Sequence, residues 1–309
     1  MFDLARRNKV LLSFKTVESI KRAYSFSNLQ SFLDIYYAGC AVLIHERDFY
    51  ELTWNYLQRA ASDNVRHVEM FFDPQSHTSR GVAFETVIMG IHRASAKAET
   101  VFGITTNIIL CFLRHLSAEE AMETLMDALP FKHLIVGIGL DSSELDHPPK
   151  KFEEVFAFAH RQGFHTVAHA GEEGPADYIW QALEVLKVSR IDHGVRCVDD
   201  PMLVDQLACK RTPLTICPLS SLKLRVVKSL DRLPLKSLLH KGLCVTVNSD
   251  DPAYFGGYVS DNFRASAEAL ALASDDIRQL AKNSFEASFL PDHRKTQLMD
   301  EVDHFLAAV

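Results

Sequence analysis

A short apolar, β-branched run followed by an amphipathic helical stretch recurs along this chain, and it limits the possible folds more than any other feature. The runs cover residues 65–72, 104–112, 134–140, 165–169, 190–193, 213–217 and 243–248. Runs this apolar, with little polar alternation, suit parallel strands buried on both faces. Helical punctuation lies between them. Ser117-Ala118-Glu119-Glu120 reads as a capping box opening a helix over 118–129. Gly163 and Gly242 stand where C-terminal glycines follow helices predicted at 149–162 and 235–241. Repeated strand–helix units predict an α/β fold with a parallel sheet covered by helices, a (β/α)8 TIM-type barrel. The seven runs are one short of eight, and the chain opens on helical sequence, so the expected barrel lacks its first strand. No internal repeat and no Pro/Ser/Gly linker interrupts the chain, and a single barrel domain over residues 1–309 is expected.

Composition narrows the function classes. Hydrophobic residues make up 47% of the 309 residues, enough for a full core, and a charged fraction of 24% argues against wholesale disorder. A net charge of −7 with no basic run excludes a nucleic-acid binder or an anionic-membrane binder. No apolar stretch reaches the length of a bilayer span, and residues 1–9 contain no apolar signal core. The six cysteines are scattered without a CxxC and read as reduced, mostly buried thiols. The expected compartment is the cytoplasm, with the nucleus as a second one.

Chemistry-bearing residues gather at the C-terminal ends of the runs, where such barrels place their active sites. One run ends in His169-Ala170-Gly171-Glu172, the next in Asp192-His193-Gly194, and the last in Ser249-Asp250-Asp251-Pro252. Singly, each has a plainer reading. His169 suits a hydrogen-bonded strand-end residue, Glu172 a first-turn helix residue, and His193-Gly194 and Asp250-Asp251-Pro252 turns and caps. Jointly they occupy the same end of the predicted strands, whereas chance would scatter them over both. Two imidazoles and several carboxylates in one mouth suit a metal held by nitrogen and oxygen ligands, with a general acid/base beside it. Cys217 before Pro218 reads as a small buried residue rather than a nucleophile, His77 and His115 as turn or cap residues, and Trp54 and Trp180 as core-facing anchors.

These motifs, in this order and spacing, resemble the metal-dependent adenosine/adenine deaminases. Further stretches are similar to the adenine deaminase branch of that family: Phe71-Phe72-Asp73-Pro74-Gln75-Ser76-His77-Thr78, Phe112-Leu113-Arg114-His115-Leu116-Ser117, and Leu140-Asp141-Ser142-Ser143-Glu144 with His147-Pro148-Pro149. The likeness runs from the first residues to about residue 285. The resemblance implies a barrel binding one zinc ion, with His169 and Asp250 as ligands. It implies that Glu172 protonates the purine N1, that His193 with Asp250 orients the attacking water and handles its proton, and that Asp251 hydrogen-bonds N7. Adenine would become hypoxanthine and ammonia in purine salvage, and the partner would be a small purine rather than nucleic acid or membrane.

The chain departs from the family pattern in three places. The family supplies two further zinc ligands from a His-x-His at the end of its first strand, whereas no histidine here precedes His45. The missing strand and the missing ligand pair are thus one deletion. An incomplete gene model or alternative start explains it better than a genuinely shortened chain, because the other catalytic residues are all kept. Ser221 stands where the family usually has Asn, and residues 291–309 match less clearly and read as a terminal helix. The alternatives are adenosine deaminase on the same fold and a catalytically impaired remnant that binds a purine or another protein. The other zinc deaminase design needs a CxxC that is absent here. A retaining glycosidase built on Glu172 and Asp250 would leave the histidines without work.

Overall fold

The computed structural model describes residues 1–307. Seven strands are present among them: β1 (His67–Phe72), β2 (Thr105–Leu113), β3 (Gly137–Asp141), β4 (His165–Ala170), β5 (Arg190–His193), β6 (Leu214–Ile216) and β7 (Val245–Val247). The fold class is α/β of the TIM-barrel type with no eighth strand among the described residues, as the repeated strand–helix units predict. Two compact units divide the chain. The first comprises Met1–Ser143 with Phe158–Phe164, and the second Glu144–Ala157 with the chain from His165 onward.

In the first unit β1 pairs in parallel with β2 and β2 with β3, in registers that set Phe72 beside Leu110 and Leu113 beside Asp141. The helices Glu46–Ser62 and Phe84–Phe102 pack closely through Gly90, where a Cβ would lie 2.5 Å from the Glu46 carbonyl oxygen. Their apolar faces meet the sheet in a core of Leu57, Ala60, Val68, Ala98 and Ile104, with Trp54 packed against it as an anchor. The opening segment is helical, over Phe2–Arg7. It is tied to the fully buried Asp48, which accepts hydrogen bonds from Arg7, from Asn8 and from the backbone N–H groups of Ile44 and His45.

In the second unit β4, β5, β6 and β7 pair in parallel in chain order. The helix Ser274–Glu286 packs on β7, and its buried Asn283 donates to the Val245 carbonyl at 2.8 Å. Helix signals behave as their chemistry requires. Ser117 Oγ accepts from the Glu120 N–H at 3.1 Å while Glu120 accepts from Ser117 N–H at 2.9 Å, and Gly163 and Gly242 take the left-handed φ values of +79° and +83°. The helix expected over 149–162 is instead a 3-10 turn, Pro149–Phe152, followed by the helix Glu153–Arg161. Pro149 explains the start, since a ring nitrogen without a proton fits only a first turn. Trp180 is half-buried and does more than anchor the core: its Nε1–H donates to Asp200 Oδ2 at 2.8 Å. The terminal helix expected at the end is Asp292–Ala307.

Candidate active site

The second unit gathers the polar residues that end β4, β5 and β7. In the parallel register His169 sits beside Asp192, so the two side chains share a face, and His169 Nδ1 lies 3.5 Å from Asp192 Oδ2. Burial pushes the Asp192 carboxyl up, but its hydrogen bond to His169, the charge of Arg190 and the Thr215 hydroxyl at 2.9 Å hold it below the ordinary aspartate range. An anionic Asp192 against Nδ1 orients the His169 ring, a common arrangement for metal-binding histidines. Asp192 was visible in the sequence only as part of a motif, with no role attached.

Strand alternation would send His193 to the face opposite Asp192. The backbone breaks that alternation, because His193 has φ +61° and Gly194 φ +72°. The His193 ring therefore lies edge-on to His169, with centroids 4.8 Å apart. Asp250, just beyond β7, is also left-handed at φ +54°. Non-glycine residues held there are uncommon and concentrate at functional sites.

Glu172 is 3% exposed, and its Oε1 lies 3.7 Å from His193 Nδ1. Neither atom has a hydrogen-bond partner among the described residues. Burial pushes the Glu172 carboxyl well above the ordinary range, the negative charge of Asp250 pushes it further, and His169 opposes them. Burial and the Asp250 charge both favour the protonated form of this carboxyl. His193, Cys217 and Asp250 bring one donor atom each within 4.8 Å of one another. With His169 beside His193, the set comprises two imidazoles, a carboxylate and a thiol, a chemistry that fits a zinc-like ion. The sequence reads Cys217 as a small buried residue rather than a nucleophile and attaches no ligand role to it. Its thiol is buried, and burial followed by the charges of Asp250, Glu172, Asp192 and Asp251 pushes its pKa far up, which opposes a free thiolate nucleophile. Asp251 is half-buried and precedes the short helix Pro252–Phe255. All five predicted site residues, His169, Glu172, His193, Asp250 and Asp251, thus belong to the second unit.

The other strand-end residues behave differently. In the first unit His77 is buried edge-on against Phe49, takes a hydrogen bond from Arg80 Nη2 at 2.7 Å, and has its pKa pushed down to about 4 by burial and the Arg80 charge. His115 Nδ1 lies 2.8 Å from Ser142 Oγ, which Tyr37 Oη also approaches at 2.7 Å. A second donor group, Asp73, Cys111 and Asp141, occupies the ends and interior of the first unit's strands. Burial and the neighbouring Asp73 push the Asp141 carboxyl well up. Ser221, the departure at the loop after β6, is fully buried with its Oγ unpartnered.

Comparison with known proteins decides the lineage, because the sequence profile of the adenosine deaminase family matches residues 1–305. The chain belongs to the adenosine deaminase family. It is 56% identical to an adenine deaminase of Hahella chejuensis over 306 residues, covering 99% of this chain and 92% of that protein. It superposes with a TM-score of 0.97 on the crystal structure of an adenine deaminase from Arthrobacter aurescens, at 49% identity over 99% of this chain and 94% of the other. An amidohydrolase from Burkholderia ambifaria, solved with bound Zn, is 26% identical with a TM-score of 0.90, over 100% of this chain and 88% of its own. A member of this family is an aminohydrolase, and this chain has no helix among its described residues long and apolar enough to cross a membrane.

Proposed function

We propose that this chain is a zinc-dependent adenine aminohydrolase that converts adenine to hypoxanthine and ammonia in purine salvage, and that residues 1–309 form a single domain of the family. The observation that carries the reading is the buried Glu172 carboxyl, its Oε1 unpartnered beside an unpartnered His193 Nδ1, in a chain whose relatives at more than half identity are named adenine deaminases. The named relatives are bacterial, which supports the cytoplasm and lends nothing to a nuclear setting. The zinc in the Burkholderia amidohydrolase supports a metal here.

His169 and Asp250 would hold the ion. When bound, it supplies Lewis acidity that makes water a usable nucleophile at neutral pH. Glu172, kept protonated by burial and by the Asp250 charge, donates its proton to the purine N1 and so makes C6 more electrophilic. Attack on a neutral aromatic amidine needs that proton, since the ring otherwise has nowhere to place the electron pair. His193, 3.7 Å from Glu172, takes and returns the proton of the attacking water. Asp251 accepts or shares a proton at N7 and orients the ring.

The test is turnover of adenine and of adenosine by the zinc-supplied chain, following ammonia and the 6-oxo product. Preferential release of ammonia from adenine supports the proposal. A clear preference for adenosine replaces it with the nucleoside reading, and binding without turnover replaces it with a non-catalytic remnant.

A further inference from the structure

Glu144 ends the Asp141-Ser142-Ser143-Glu144 stretch and is 1% exposed, and its carboxylate forms no ion pair among the described residues. Four consecutive backbone N–H groups answer it instead. Gly171 donates to Oε1 at 2.6 Å, and Glu172, Glu173 and Gly174 donate to Oε2 at 3.0, 2.8 and 2.7 Å. The segment that follows, Pro175 and then the helix Ala176–Glu184, starts where these donors end. Converging amides of this kind form a concave anion site, and a carboxylate is the side chain with enough acceptor capacity to fill it. The glycines make room. Gly171 is left-handed at φ +71°, and a Cβ on Gly174 would fall 2.6 Å from Glu144 Oε1.

One of the four donors is the N–H of Glu172 itself. The Glu172 side chain has no hydrogen bond at Oε1 to hold it, so its position is set from the backbone. We propose that Glu144 is a positioning residue that clamps the 171–174 loop through these four amides and thereby fixes the Glu172 carboxyl for proton transfer to the substrate. The proposal rests on reading Glu172 as the proton donor. An amide at position 144 has one acceptor oxygen and turns an NH2 group toward the donors, so Glu144→Gln opposes the clamp while keeping the size of the side chain.

The experiment uses the full chain supplied with zinc, as wild type, Glu144→Gln, Glu172→Gln and the double variant. Hydrogen exchange of the 171–174 amides is read alongside kcat and KM for adenine. The expected result for Glu144→Gln is amide exchange at least about tenfold faster in that loop alone and kcat lower by about 100-fold with KM within about threefold, the scale at which misplacing a catalytic group acts. On the Glu172→Gln background, Glu144→Gln is expected to cost less than about threefold more, because a residue acting through another has nothing left to position. Should Glu144→Gln fail to fold, Gly174→Ala presses a methyl into the same carboxylate without removing its charge, and the same directions are expected. Unchanged loop protection overturns the proposal. So does a faster-exchanging loop with unaltered kcat, or a double variant whose losses multiply. If wild type releases no ammonia from adenine, the functional reading falls by itself, and the clamp stands or falls on the exchange data.

Discussion

The histidines at the strand ends of the two units are dealt with in opposite ways. In the first unit they are answered by neighbours: His67 by Thr105 at 2.8 Å, His77 by Arg80, and His115 by Ser142. In the second unit His193 Nδ1 faces Glu172 Oε1 across 3.7 Å, and neither is satisfied. A buried polar group without a partner costs free energy, on the order of 1–3 kcal/mol. Folding tolerates such a cost where the group has other work. The same residue type is therefore satisfied in one unit and, under the proposed function, poised for chemistry in the other, and hydrogen bonding tells the two apart.

The largest expected effect bears on the poised side. Glu172→Gln removes the proposed proton donor but keeps its volume, and ammonia release from adenine is expected to fall by about 10²–10⁴-fold at saturating substrate. A loss under about tenfold would move Glu172 back among the structural residues.

The satisfied side carries a pH signature. His77 has a folded-state pKa of about 4, below the ordinary value of 6.5. Between those values the unfolded chain binds the proton and the folded chain does not, so stability falls as pH drops from about 6.5 to about 4 and then levels off. The group's full contribution is on the order of 3 kcal/mol. Urea unfolding from pH 7 to pH 4.5 is expected to show this slope in wild type and a flatter one in His77→Gln. Equal slopes would remove His77 from the structural class.

Backbone strain gives a smaller effect. Gly171→Ala places a methyl 2.4 Å from Ile179 Cδ1 in a left-handed conformation, and a loss of about 1–3 kcal/mol in unfolding free energy is expected. The smallest effect tests the cost of an unanswered group directly. Ser221→Ala deletes a buried hydroxyl that has no partner, and the change is expected to lie between neutral and a gain of about 1 kcal/mol. A clear destabilisation, seen as a lower urea midpoint at constant slope, would mean that the hydroxyl is satisfied.

Much of this architecture was legible in the sequence because it is local. Each apolar run carries its own strand, and His169, Glu172, His193, Asp250 and Asp251 advertise themselves by ending those strands. Boundaries drifted where another local rule overrode the apolar pattern. The strand expected from 134 begins at Gly137 because the preceding residues, Leu129–Leu134, form a 3-10 helix with a proline in its first turn. The run at 213–217 shrinks to Leu214–Ile216, flanked by Pro213, which has no N–H to donate, and by Cys217, which stands at the N-cap position of the next helix. The illegible part is non-local. Asp192 holds His169 through strand register, Cys217 approaches Asp250 from another strand, and Glu144 reaches amides 27 to 30 positions away in the sequence. No periodicity reports such meetings.

The most direct test of the central claim is ammonia release from adenine as metal-free chain is titrated with zinc, with bound zinc measured in the same samples. The account predicts that the rate climbs with bound zinc and saturates near one ion per chain. Zinc bound at that level with no ammonia released, in a chain whose fold is intact, would contradict it.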